Sequence, residues 1–306
     1  MWQKCERLWV LLMAVLLQSC QETELGKDLP YEGDRLVLYA ELKPSEVVKL
    51  RLSKTYPPTG KFTVTLGLAG ASVKLFENGL FKTQLVYSDS GNYVAQSGLK
   101  PKIGFAYSFE VVLTGFPSVN TQPVVIPQNV SNAQAVLQKD TIASILTGAT
   151  ARQLDVEWKD TENSPNDYLV TIEGLYQNQD LGLSGFNIGK DGEIEDGCSF
   201  ARNRLRFVFK DNCFPAQTFK TSFGLNSFGF LQNSNLAPGT RQRDVDFYRV
   251  SIANVSESYF RFLQDELQPT DIFVAFQLPK SRFSNVKNGY GIILAANETV
   301  FFVKAK

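Results

Sequence analysis

Beyond residue 35, apolar residues recur at every second position, and a period of two admits few folds. "RLVLYAEL" sets Leu36, Leu38, Ala40 and Leu42 on one side, and "VVKLRLSK" opposes Val48, Leu50 and Leu52 to Lys49, Arg51 and Ser53. Successive side chains of an extended chain point to opposite sides, so such runs make strands with one dry face and one wet face. "ASVKLFENGLFKTQLVY" reads as two strands joined at Asn78-Gly79, a dipeptide suited to the positive φ angles of a tight hairpin. "DSGNYVAQSGL" and "FAYSFEVVLTGF" continue the series. About seven short strands with turn signals between them predict a β-sandwich over residues 35–127.

Residues 128–151, within "IPQNVSNAQAVLQKDTIASILTGATA", lack aromatic residues and sustained alternation. They read as a linker, part of which could add a strand. A second β domain, 152–306, opens with "LDVEWKD" and "DYLVTIEGL", where Leu154, Val156 and Trp158 alternate and Tyr168, Val170 and Ile172 answer. One helix is expected where Val255, Tyr259, Phe262, Leu263 and Leu267 recur at three-to-four spacing, with Asn254 and Glu257 as a capping box and Pro269 as the stop. Strands resume in "DIFVAFQL" and "GYGIILAANETVFFVKA". The fold class is therefore all-β: a sandwich followed by a second, mostly β domain with one helix.

The N-terminus follows a different logic. Residues 1–19 have a positive start at Lys4 and Arg7 and a short apolar run from Leu8 to Leu17, about half of what a spanning helix needs. Leu17-Gln18-Ser19-Cys20 resembles a bacterial lipobox, which implies a signal peptide cut before Cys20 and a lipid on its thiol. Several acyl chains, at about 0.8 kcal/mol per buried CH₂, would hold a soluble domain to a bilayer. Residues 20–34 form an acidic tether, with Glu22, Glu24 and Asp28. It resembles the surface-export signals of Bacteroidota lipoproteins, or is simply a solvated spacer. The expected location is the outer membrane, lipid-anchored, on the periplasmic face or the cell surface.

Composition narrows the chemistry. Without Lys4, Arg7 and Glu6 the 31 basic and 31 acidic residues become 29 and 30, and such a balance gives no footprint for nucleic acid. The chain has no His, which removes the commonest metal ligand and the one side chain that titrates near neutrality unperturbed. Ser-His-Asp and Cys-His catalysis are excluded with it. Beyond Cys5 and Cys20, only Cys198 and Cys213 remain. In an oxidising compartment they are expected to pair, giving about 3 kcal/mol in the chain-entropy model, with two free buried thiols as the alternative.

Candidate motifs fall short of a catalytic set. Asp89-Ser90-Gly91 matches an aspartic-protease triplet that has no second copy, so a turn is expected there. Ser284-Asn285-Val286-Lys287 matches S-x-x-K but precedes Asn-Gly close to the end of the sequence, so a loop is expected. Residues 187–197, "NIGKDGEIEDG", partly match a calcium loop, with Gly189 and Cys198 where oxygen ligands belong; they read as a hairpin turn, with weak calcium binding as the alternative. Asp155/Glu157 and Asp244/Asp246 read as solvated strand faces, and Trp158 as a core residue. No enzyme, no metal and no cofactor are expected. Asp140-Thr141-Ile142 resembles the O-glycosylation triplet of Bacteroidota, which makes Thr141 a candidate acceptor.

Gly91-Asn92-Tyr93, Leu99-Lys100-Pro101 and Tyr107-Ser108-Phe109-Glu110-Val111 lie in the front sandwich, and "SNVKNGYGII", residues 284–293, lies near the end of the sequence. Together with the lipobox, the opening of the second β region and the late helix, they resemble the uncharacterised DUF4249 family of Bacteroidota lipoproteins. The front part alone resembles transthyretin-like modules as well. Asn285, Asn288, Gly289 and Gly291 carry the most specific part of the resemblance. Pro101-Lys102-Ile103-Gly104 departs from it, since Pro-Gly is expected there. The family has no established activity. The resemblance implies a cell-envelope lipoprotein associated with a TonB-dependent outer-membrane transporter. With the missing His and the failed motifs, the expectation is a non-enzymatic binding or accessory protein anchored to the bilayer through Cys20. A glycan-binding protein is the second reading and a carboxylate-dependent hydrolase the third. Asn288-Gly289 is expected to make a positive-φ turn that closes the second domain, with Val286, Tyr290 and Ile292 alternating into the last strand.

Overall fold

The computed structural model describes residues 33–56, 67–143, 150–159, 167–187, 199–203, 206–210, 218–231, 242–266 and 283–305. The first sheet begins with β1 (Leu36–Leu42) and β2 (Lys49–Lys54), continues through β3 (Ser72–Glu77), β4 (Leu80–Tyr87) and β5 (Asn92–Ala95), and adds β6 (Ala106–Val112), β7 (Val119–Thr121) and β8 (Val124–Val125). The alternation foreseen in β1 is realised: Leu36, Leu38, Ala40 and Leu42 are all buried. They join Leu50, Leu52, Val73, Leu75, Tyr107 and Phe109 in the first core. The β3–β4 hairpin turns at Asn78 and Gly79, both at positive φ (52° and 79°), as the dipeptide requires.

Two tyrosines explain the front motifs. Tyr93 is buried, and its hydroxyl donates to Leu68 O and accepts from Ala71 N, each at 3.0 Å. Gly91 precedes it at φ 84°, and a Cβ there would stand 2.4 Å from Leu52 O, so no other residue fits. Tyr107 donates to Glu77 at 2.7 Å and accepts from Lys102 N at 2.9 Å. The departure at Pro101–Gly104 is thus a turn held by a tyrosine hydroxyl, with Gly104 at φ 78°.

Glu77 also meets Lys82 at 2.9 Å and Lys102 at 3.5 Å. The Tyr107 and Lys82 hydrogen bonds, with the charge of Lys102, hold its carboxyl below the ordinary 4.5. Burial, and then Glu77 itself, push the Tyr107 hydroxyl up to about 12. Because the folded-state value of Glu77 is the depressed one, its contribution is complete above pH 4.5 and is lost as pH falls through the folded value. Glu77→Gln should therefore cost about 2 kcal/mol at pH 7 and flatten the acid limb of stability against pH. Urea titrations across pH 2–7 check this.

The second sheet holds β9 (Ser131–Ala143), β10 (Thr150–Lys159), β11 (Asp167–Tyr176), β12 (Gln179–Asn187), β13 (Ser199–Asn203), β14 (Arg206–Lys210), β15 (Thr218–Leu231), β16 (Gln242–Asp244) and β17 (Phe247–Val255). The expected linker is corrected here: residues 131–143 form β9, antiparallel to β10. Trp158 is buried as expected, stacked on Phe219 with centroids 5.3 Å apart. Around them Tyr168, Val170, Ile172, Phe223, Tyr248 and Val250 make the second core.

Helix α1 (Glu257–Glu266) follows β17. Its cap differs from expectation. Asn254 lies inside β17, buried and opposite Asn297, while the Ser256 hydroxyl accepts from Tyr259 N at 3.4 Å. Of the expected helix face, Tyr259 and Leu263 are buried, Phe260 joins them, Phe262 is half-buried, Val255 ends β17, and Leu267 lies outside the described residues.

The chain closes with β18 (Val286–Lys287) and β19 (Tyr290–Lys304). β18 pairs with β7 of the first sheet. β19 belongs to both sheets. Residues 290–295 pair parallel with residues 37–42 of β1, and residues 296–304 pair antiparallel with β17. The segment expected to close the second domain therefore completes the first sheet. The described residues of both sheets lie in one compact unit. No described helix is long and apolar enough to cross a membrane.

Candidate functional site

Polar side chains concentrate where β19 passes from one sheet to the other. Its inward residues Ile293 and Ala295 lie in the first core. Its outward residues Ile292, Leu294 and Ala296 pack under Tyr259, Phe260 and Leu263 of α1, together with Leu169, Val208 and Ala253 of the second sheet. With apolar residues on both faces, the backbone there has little access to water, and every N–H and C=O needs a partner.

Side chains supply several of them. Buried Asn285 acts as a one-residue strand: its amide donates to Ile293 O and accepts from Ile293 N, both at 2.8 Å. Ser284 donates to Gly291 O at 2.8 Å, Ser258 to Ile293 O at 3.0 Å, and the Ser256 hydroxyl accepts from Ala295 N at 3.1 Å. Asn288 has φ 62° and its amide donates to Ser118 O at 3.3 Å. Gly289 corrects the turn reading, because it has no positive φ. A Cβ there would instead stand 2.8 Å from Leu36 O. Gly291 is the constrained one, at φ 113° with its would-be Cβ 1.8 Å from Leu38 O. Nor does the expected alternation hold: Val286 and Ile292 are buried while Tyr290 is half-exposed.

A charged network borders the crossing. Lys43 Nζ lies 3.4 Å from Glu41 and from Glu298, and 3.8 Å from Glu46. Ser251 donates to Glu298 at 2.8 Å, Tyr259 to Glu41 at 3.4 Å, and Arg206 to the Tyr259 oxygen at 3.3 Å. Burial opposes the Lys43 charge, but Glu41, Glu298 and Glu46 outweigh it and hold its pKa above the ordinary value. Burial, reinforced by Glu41, raises the Tyr259 hydroxyl well beyond the usual tyrosine range. Lys43 therefore stays an ammonium and Tyr259 stays protonated at neutral pH. The network joins β1, β19 and α1.

The other candidates are dispersed. Asp89 accepts from the Asn92 amide at 2.9 Å within a turn. The Ser284 hydroxyl is taken by Gly291, and Lys287 is exposed on β18. Asp155 is opposed by burial, yet hydrogen bonds from Gln153 (2.7 Å), Ser222 and Gln138 (2.6 Å each) bring its carboxyl below the usual value. Glu157 pairs with Lys220 at 3.0 Å, and Asp246 accepts from Gln177 N. Asn254 and Asn297 are buried. Thr141 is in β9 opposite Arg152, in a ladder and not a linker. Cys20, Cys198, Cys213 and residues 188–197 lie outside the described residues. Lys43, Ser256, Ser258 and Glu298 were not singled out from sequence, since the contacts that tie them to the crossing (Lys43 with Glu298, Ser256 with Ala295, Ser258 with Ile293) are remote along the chain.

One apolar surface stands apart. At the β3–β4 hairpin tip Leu80 is 75% and Phe81 59% exposed. The turn beneath them is fixed, with Asn78 N donating to Ala106 O at 2.7 Å and Ala106 N to the Asn78 side chain at 2.9 Å.

The profile of a family described as a domain of unknown function, DUF4249, matches residues 22–301. No curated protein matches. Among solved structures, a protein of Corynebacterium diphtheriae described as a candidate membrane-anchored protein is similar at 10% identity and a TM-score of 0.22. The match covers 74% of this chain and 56% of that one.

Proposed function

The chain belongs to the DUF4249 family, and from that premise we propose that it is a non-enzymatic, lipid-anchored protein of the cell envelope that presents rigid β hairpins to a protein partner. The observation that carries this reading is the hairpin tip. Leu80 and Phe81 are held out on a turn fixed by three elements of hydrogen bonding: the Asn78 backbone, the Asn78 amide and the Glu77–Lys82 pair. Large apolar side chains on a pre-organised support bind partners without the ordering cost of a loose loop. The anchor is Cys20 behind its lipobox, at the outer membrane, and the partner is a TonB-dependent transporter.

Two measurements separate the parts of this reading. Cys20→Ala should move the protein from the membrane fraction to the soluble fraction and remove its lipid mass. A variant that stays membrane-bound with a lipid attached overturns the anchor. Leu80→Ser with Phe81→Ser should keep the protein folded and anchored while abolishing cross-linking to a transporter in native outer membranes. Undiminished cross-linking overturns the hairpin as the contact, and specific binding of the purified chain on a glycan array would favour the carbohydrate reading.

A further inference from the structure

We propose that the parallel β1–β19 ladder is a tension clamp, built so that a pull on the N-terminus is resisted in shear. The geometry is specific. The chain enters β1 at Leu36 and runs to Leu42, while β19 runs alongside in the same direction from Tyr290 and leaves at Ala295. A pull on the N-terminal end of β1 is thus opposed at the far end of the ladder, where β19 departs into its nine-residue pairing with β17. Drawing those two ends apart slides the strands along their axes. The rungs from Val37–Tyr290 to Leu42–Ala295 are strained together, because the slanted bonds of a parallel pair are evenly spaced. An antiparallel hairpin pulled by its open ends breaks one rung at a time.

The surroundings of the ladder fit this role. Asn285, Ser284, Ser256 and Ser258 tie the Gly291, Ile293 and Ala295 backbone groups not given to β1. Lys43, directly after β1, pairs with Glu298 of β19 just past the crossing, so an ion pair bridges the point of departure. Helix α1 packs over Ile292 and Leu294 on the outward side of this stretch of β19, and over Ala296 just beyond it. The acidic tether ahead of β1 would deliver force only if Cys20 is anchored, so the biological use of the clamp rests on the proposed anchoring. The clamp itself is a property of the fold.

The test is single-molecule force spectroscopy on the soluble chain from residue 21, which needs no lipid and is independent of the Cys20→Ala experiment. One geometry pulls residue 21 against residue 306 and shears the ladder. The other pulls residue 21 against a bio-orthogonal handle replacing exposed Tyr290, which faces Val37 across the same ladder and unzips it. At equal loading rate the shear geometry should show a peak force about twofold higher or more, since forced unfolding follows the barrier along the pulled direction. Any smaller ratio overturns the clamp.

Discussion

Gly291→Ala should abolish or nearly abolish the folded state, with a loss of about 4 kcal/mol or more. The added methyl would stand 1.8 Å from Leu38 O and within 2.7 Å of Leu38 N and C, and the backbone is at φ 113°. None of those atoms can yield without opening the β1–β19 ladder. Gly98→Ala is the control. It too has positive φ, but nothing lies within 4 Å of its would-be Cβ, so only the conformational term of about 1 kcal/mol remains. Guanidinium midpoints of the two variants should therefore separate widely. Similar midpoints would show that the close approach to Leu38 does not constrain this residue.

Asn285→Ala should cost about 2–4 kcal/mol. The alanine leaves Ile293 N with no acceptor in a buried place, while Ile293 O retains Ser258. Asn285→Asp preserves the acceptor but sets a carboxylate against a carbonyl. Its defect at pH 7 should be as large as that of alanine and should shrink in acid, where a protonated carboxyl can donate again. Urea unfolding at pH 7 and pH 4 distinguishes this from loss of packing, which would leave both variants insensitive to pH.

Local pattern and long-range pairing were not equally legible in the sequence. β1, β2, β10 and β11 could be read residue by residue, because each buries one complete side of its alternation. β9 could not. Over residues 131–139 the side chains are only half-buried or exposed, and the inward ones include small Ala133 and Ala135, so the hydrophobic contrast is faint. The Asn-Gly dipeptide at 288–289 misled for another reason. It normally joins two strands that pair with each other, whereas here β18 goes to β7 and β19 to β1, and the positive φ falls at Asn288 and Gly291. Asn285 was marked by family resemblance, but its work as a substitute strand leaves no periodic trace. Lys43 and Glu298 meet across most of the sequence, which no local window can register.

The sharing of β19 between two sheets also sets a timetable. β1 emerges early from any process that delivers the chain from its N-terminus, yet the strand that completes its ladder is about 250 residues later. Until residues 290–295 arrive, one edge of β1 and the first apolar core lack their partner, and an unpaired edge beside an open core invites association with other chains. The residues that follow, 296–304, are still missing from β17, and Ile292, Leu294 and Ala296 from the underside of α1. Both halves of the protein therefore reach their final packing in a single late event, and a chain interrupted before Tyr290 would be left with two unfinished sheets, not one finished domain and one missing one.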